Sequence, residues 1–317
     1  MYEFFRKLIK DEDGQVVVII AVAFTALLGF TALAVDTGVL FVEHTRLVRA
    51  ADAAALAGAQ ELPGNPGVAE ELAEDYAEMN GIDPEQINID ISDDNRQIQV
   101  SMDKTIDLVF ARVFGHDAAD VGASATARVS PVKSINGAVP FSVKNQTFYY
   151  GEPYVLKEGA SGSDSDGARW CGWFGALDFT GGGGGSNEYE DMIVEGFSGK
   201  LSIGDIIDIE PGNMAGPTAD GVQERIDSCS HNPSCTWDDH APDCPRVIYV
   251  PIVEEYDGSG GNRRVEVEGF AAFFLEGVEG HNGNNGDVVG RFIFETVSGE
   301  TDDSIDGFGL TSVKLLD

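Results

Sequence analysis

Residues Val16–Val35 read VVVIIAVAFTALLGFTALAV, an uncharged and almost wholly apolar run that begins directly after the charged leader Met1–Gly14. At 1.5 Å of rise per residue, about 20 helical residues cross the roughly 30 Å hydrocarbon core of a bilayer. The run therefore predicts a membrane helix. Its continuation matters as much. After Asp36 the helical pattern carries on through FVEHTRLVRAADAAALAGAQEL, with no proline before Pro63. One helix is predicted to leave the membrane and continue into water, which is an assembly feature more than an enzyme feature. Ala32-Leu33-Ala34 also fits the small-x-small pattern of a cleaved signal peptide. The run is long for a signal core and unbroken at Ala34, so a retained anchor is expected.

The chain has 54 acidic and 20 basic residues, a net charge of −34. Residues 151–317 alone hold 32 acidic and 9 basic residues, so the acidity is concentrated towards the C-terminus. Such a surface repels nucleic acid and anionic headgroups and argues against either as a partner. The basic residues flanking the apolar run, Arg6, Lys7 and Lys10 on one side and Arg46 and Arg49 on the other, are nearly balanced. The positive-inside rule is therefore close to a draw. Cysteines break the tie at this stage. Cys171, Cys229, Cys235 and Cys244 form an even set in the large C-terminal part, as expected of an exported, oxidised domain. The expected topology is a single pass through the cell membrane, with the N-terminus cytoplasmic and the C-terminal domain extracytoplasmic.

Small residues recur at four-residue intervals along the predicted helix: Ala21, Thr25 and Gly29 in the membrane, then Ala50, Ala54 and Gly58 beyond it. That spacing lets helix backbones approach closely, and these six residues are candidates for packing against partner helices. Pro63-Gly64-Asn65-Pro66-Gly67 stops the helix. A second helix is predicted over Val68–Asn80, then alternating strands at 87–92 and 96–102 joined by Asp93-Asp94-Asn95. A short helix at Asp107–Phe114 and a strand at Val121–Val129 complete a helix–strand–strand–helix–strand unit. The organisation read from the sequence is a leader at 1–14, a transmembrane helix with its extension at 15–62, a small α/β unit at 63–131, and an acidic β-rich domain at 132–317. The fold class is α+β.

The N-terminal segment resembles TadG-like proteins of the tight-adherence (Tad, or Flp) pilus system. The likeness is carried by the apolar run, Ala34-Val35-Asp36 with Gly38, Arg46-Leu47, and the string Ala50-Ala51-Asp52-Ala53-Ala54-Ala55-Leu56-Ala57-Gly58-Ala59. Phe110-Ala111-Arg112-Val113-Phe114-Gly115 and Ala123–Ala127 are similar to the segment that follows. The resemblance implies a membrane-anchored protein of pilus assembly or surface anchoring, with no catalytic role or cofactor and with other apparatus proteins as partners. Two marks of related proteins are missing. Cleavage after Gly14 would place Ile19 at the fifth mature position, where a pilin carries Glu. Asp90-Ile91-Ser92-Asp93-Asp94 has Asp where the von Willebrand A metal motif needs its second Ser.

The remainder reads as a β sandwich or barrel. Strands are expected at Ala138–Val143, Phe174–Phe179, Ile206–Glu210, Arg246–Val253, Arg264–Leu275, Val288–Val297 and Thr311–Leu315, with a helix at Pro217–Ser228. Val265-Glu266-Val267-Glu268 alternates, and then Phe270–Phe274 is apolar throughout, as in a strand entering a core. Gly181–Gly185 runs into Ser186-Asn187-Glu188, without the Lys a phosphate loop needs, and reads as a surface loop. Cys229-x5-Cys235-x8-Cys244, with His231 and His240 between, fits either zinc or disulfides. The spacing is not that of a common finger, so disulfides are expected, Cys229–Cys235 with Cys171–Cys244. The acidic turns Asp164-Ser165-Asp166-Gly167 and Asp302–Gly307 offer carboxylates to Ca2+ without completing a twelve-residue calcium loop. No hydrolase or metalloprotease motif occurs in the sequence. The reading is therefore a non-enzymatic pilus-assembly component. The alternative is a cell-surface module that recognises a glycan or a cation through its β domain.

Overall fold

The computed structural model describes residues 12–157, 175–181, 185–210, 212, 214–257, 264–279, 286–305 and 307–316. It divides into two compact units, Met1–Arg128 with Leu315–Asp317, and Val129–Lys314. The architecture is α+β: a long N-terminal helix, a small helix-on-sheet unit and a β-rich domain.

In the first unit, helix α1 spans Glu12–Ala59 without a break. Its first half is apolar on every side and stands exposed, Val16 at 60 % and Phe30 at 75 %, as lipid-facing side chains would. Beyond Asp36 the pattern changes, and Leu47, Ala50, Ala51, Ala54, Ala55 and Ala59 are wholly buried. They meet helix α2, Pro66–Met79, which begins on a proline and buries Ala69, Ala73 and Ala77. Small residues at four-residue spacing on both helices allow the close approach. A Cβ on Gly58 would lie 2.6 Å from the Ala69 carbonyl oxygen and 2.7 Å from Ile98 Cδ1.

Beside the helices lie β1 (Ile87–Ile91), β2 (Gln97–Asp107) and β3 (Ala118–Asn136), antiparallel in that order. The two-residue period of β2 buries Ile98, Val100 and Met102. Asp107–Phe114 does not form the expected helix. Strand β2 runs to Asp107, and only Ala111–Phe114 coils, as one 3-10 turn ended by Gly115 at φ 89°. The reason is an outside acceptor. Asp36 Oδ1 accepts from the N–H of Val109 at 3.1 Å and of Phe110 at 3.3 Å. Its Oδ2 accepts from Phe110 at 3.0 Å and Ala111 at 2.6 Å.

Strand β3 continues past Arg128 into the second unit, where its end pairs with β7 (Lys200–Ser202) and β13 (Glu300–Thr301). The main sheet there has the order β4 (Val143–Lys144), β9 (Val247–Asp257), β10 (Arg264–Glu279), β11 (Asp287–Ile293), β5 (Pro153–Lys157). Strand β8 (Ile206–Ile209) pairs with the start of β10 and with β6 (Leu177–Asp178). Strand β12 (Glu295–Thr296) runs parallel to β14 (Leu310–Leu316).

Strand β10 is buried on both faces from Phe270 to Leu275. Phe270, Ala272 and Phe274 enter one core with Ile207, Ile209, Cys235 and Cys244. Ala271, Phe273 and Leu275 enter the other, which includes Tyr189, Ile193 and Val222. Those three come from helices α3 (Gly185–Glu195) and α4 (Ala215–Ser228). The expected strand at 138–143 is reduced to isolated bridges, Ala138 with Tyr249 and Phe141 with Ala176, before β4. Pro140 between them has no N–H to give a ladder. Helix α3 was not legible as a helix, because glycines and Ser186-Asn187 precede its two buried anchors, Tyr189 and Ile193.

Candidate functional site

The densest group of chemistry-bearing side chains lies between α4 and β9. Cys229 caps the C-terminus of α4, its N–H bonded to the Ile226 carbonyl at 3.2 Å. The chain then turns through His231 and Cys235, and Cys244 sits just before β9, its carbonyl accepting from Val247 at 3.0 Å. Cys235 and Cys244 are buried, while Cys229 is half-buried. Cys229 Sγ lies 3.6 Å from His231 Nδ1 and 3.7 Å from Cys244 Sγ. One donor atom from each of Cys229, His231, Cys235 and Cys244 falls within 4.8 Å of the other three.

The expected disulfide set is corrected at one point. Cys229, Cys235 and Cys244 are free thiols, so Cys229 and Cys235 are not joined. The 3.7 Å between the sulfurs of Cys229 and Cys244 is far beyond the roughly 2.05 Å of an S–S bond. Cys171, expected to pair with Cys244, lies outside the described residues.

A second layer surrounds the cluster. His231 Nε2, the ring nitrogen turned away from Cys229, lies 3.0 Å from Asp243 Oδ1. Arg246 donates from Nη1 to the Cys235 carbonyl at 3.1 Å and from Nε to the Leu275 carbonyl at 2.9 Å. Its guanidinium carbon lies 4.4 Å from the Phe274 ring centroid. The His231 hydrogen bond holds the Cys229 thiol well below its ordinary value, whereas burial pushes Cys244 up. His240 faces elsewhere, stacked on Phe274 with Nε2 3.5 Å from Glu295 Oε2. Burial lowers His240 and pushes Glu295 up to about 7.

Two carboxylates of the Asp302–Gly307 turn are already answered by cations of the protein itself. Asp302 accepts from the Ser304 N–H and hydroxyl and lies 3.7 Å from Lys133, while Asp303 accepts from Ser130 and lies 3.5 Å from Lys314. Asp164–Gly167 lies outside the described residues. Gly181 and Gly185 adopt positive φ, and Gly185 opens α3.

The small-residue stripe splits in two. Ala50 and Ala54 are fully buried and Gly58 lies against Ala69 and Ile98, so that half is used inside its own unit and is closed to partner helices. Ala21, Thr25 and Gly29 stand exposed, with the Thr25 hydroxyl donating to the Ala21 carbonyl at 2.8 Å and open space around Gly29.

These features define a class: a small α/β unit and a β-rich domain on a chain that carries one membrane-length N-terminal helix. Residues 14–61 match the Tad family model, TadE/G-like Flp pilus assembly, which supports a role in pilus assembly. The match covers nearly all of α1, including Asp36 and the Ala-rich segment packed on α2. No curated protein and no solved structure matches the chain. The sequence does contain the signal for the cysteine cluster, Cys229-x-His231-x3-Cys235-x8-Cys244 with Asp243 adjacent. Because its spacing is not that of a common zinc finger, the string by itself points to disulfides.

Proposed function

We propose that this chain is a membrane-anchored, non-enzymatic component of a Tad-type (Flp) pilus-assembly apparatus. The observation that carries the reading is the coincidence of the family match at 14–61 with an exposed apolar helix of membrane-spanning length. The helix retains the protein in the bilayer, and the β-rich domain contacts pilus or envelope partners. The face open to a neighbouring helix is Ala21-Thr25-Gly29. The proposed orientation is a cytoplasmic N-terminus and an extracytoplasmic β-rich domain, although the flanking cations, three against two, are nearly balanced.

Crosslinking in intact cells, followed by mass spectrometry, tests the assignment. Other components of the pilus apparatus should be recovered with the wild-type chain. Their recovery should be lost when residues 14–35 are exchanged for an unrelated membrane helix. Unchanged recovery with the exchanged helix would remove the anchor from the mechanism. Labelling of introduced cysteines by a membrane-impermeant reagent reads the orientation. A labelled leader with an inaccessible β-rich domain would reverse it.

A further inference from the structure

We infer that Cys229, His231, Cys235 and Cys244 bind one Zn2+ as a closed, four-ligand structural centre. In a tetrahedral site, Zn–S bonds of about 2.3 Å and Zn–N bonds of about 2.0–2.1 Å place two sulfurs about 3.8 Å apart and a sulfur and nitrogen about 3.6 Å apart. The observed separations are 3.7 Å between Cys229 and Cys244 and 3.6 Å between Cys229 and His231 Nδ1. All four donor atoms share one small volume, and the thiolate-rich set suits zinc over the hard, oxygen-seeking cations Mg2+ and Ca2+.

The surroundings fit the same assignment. A zinc-bound histidine commonly donates its second ring N–H to a carboxylate, which fixes the ring and raises its basicity. His231 does this with Asp243 at 3.0 Å, leaving Nδ1 for the metal. Three thiolates, one neutral imidazole and Zn2+ carry a net charge of −1. The adjacent Arg246 guanidinium, bonded to the Cys235 carbonyl, offsets that charge. With four protein ligands no position is left for substrate, so the centre is structural. It ties the end of α4 to the start of β9 and holds the irregular segment between them on the core that contains Phe274. Cysteines expected on sequence grounds to pair as disulfides thus serve as metal ligands.

The assignment is independent of the pilus role, and its test reads metal rather than assembly. The full chain, purified in detergent and dialysed against metal-free buffer, should hold one zinc per chain by elemental analysis. Zinc should persist in Cys171→Ser and in His231→Cys, which supplies a fourth thiolate. It should be lost in Cys235→Ser, and Asp243→Asn should weaken zinc affinity about 10- to 100-fold. Exchange with Co2+ should give the wild-type chain the visible absorption of tetrahedral cobalt thiolate, and its absence there would overturn the four-ligand assignment. Absence of zinc with a Cys229–Cys235 disulfide in the non-reducing peptide map would overturn the proposal. So would iron in place of zinc, or zinc retained unchanged in Cys235→Ser.

Discussion

Replacing Asp36 by Ala should release the segment that follows β2. The carboxylate is 4 % exposed and accepts from three consecutive backbone N–H groups, those of Val109, Phe110 and Ala111. A donor left without its partner costs about 1–3 kcal/mol when it stays buried. Val109 and Phe110 are 67 % and 41 % exposed, so their freed N–H groups can turn to water. The net local loss should therefore sit near about 2–3 kcal/mol rather than at the full sum. At about 1.4 kcal/mol per decade, the amides of 109–111 should exchange roughly 30- to 150-fold faster with deuterium. Hydrogen exchange with mass spectrometry on the full chain in nanodiscs, following peptides across 107–117, measures this. Asp36→Asn keeps one acceptor oxygen but turns an NH2 towards the remaining donors, and should lie between wild type and Asp36→Ala. Glu43→Gln breaks only the half-buried pair with Lys104 at 3.0 Å and should leave 109–111 unchanged. Exchange at 109–111 that is as fast in wild type as in Asp36→Ala would refute the capping argument.

Three further outcomes are expected. Gly58→Ala should destabilise the first unit by about 2 kcal/mol or more, because the new methyl meets the Ala69 carbonyl and Ile98, whereas Gly29→Ala should be silent; thermal melts of the two variants make the comparison. Arg225→Ala should cost about 2–4 kcal/mol by denaturant titration, since buried Arg225 donates to the carbonyls of Ile193 and Pro245 and would leave both without it. Glu295, raised by burial from 4.5 to about 7, binds its proton more tightly folded than unfolded. Its contribution to stability is fully present below pH 4.5 and is lost as pH rises to about 7. Glu295→Gln should therefore raise the melting temperature at pH 8 and leave it nearly unchanged at pH 4. After allowance for partial exposure the gain is about 1–2 kcal/mol.

Features that rest on local periodicity were legible in the sequence. The long apolar N-terminal helix, the alternation in β2 and the doubly apolar centre of β10 all follow from it. Features that rest on contacts distant in sequence were not. The 3-10 turn at 111–114 is decided by Asp36, more than seventy residues upstream. Ala50, Ala54 and Gly58 carry the spacing of a helix interface, but spacing cannot say whether the partner is another chain or α2 of the same one. Helix α3 is held by Tyr189 and Ile193 against Val222 and β10, and its own glycine-rich start argues against a helix. The cysteine cluster shows the same limit. Spacing allowed both disulfides and zinc, and only the position of His231 beside Cys229 and Cys244 separates the two.

The continuity of α1 has a mechanical consequence. A helix of 48 residues is about 70 Å long, and roughly half of that length is also the core of the first unit. Most membrane-tethered domains hang from a linker that absorbs tilt and torsion. Here the first tertiary contact, Asp36 with the 109–111 backbone, falls one residue beyond the apolar run. In the proposed anchoring, this leaves no linker between the bilayer and the first unit. A rotation or a pull applied to the membrane segment arrives at Ala50, Ala54 and Gly58 as a shear between α1 and α2, as a drive shaft delivers torque to the gear cut into it.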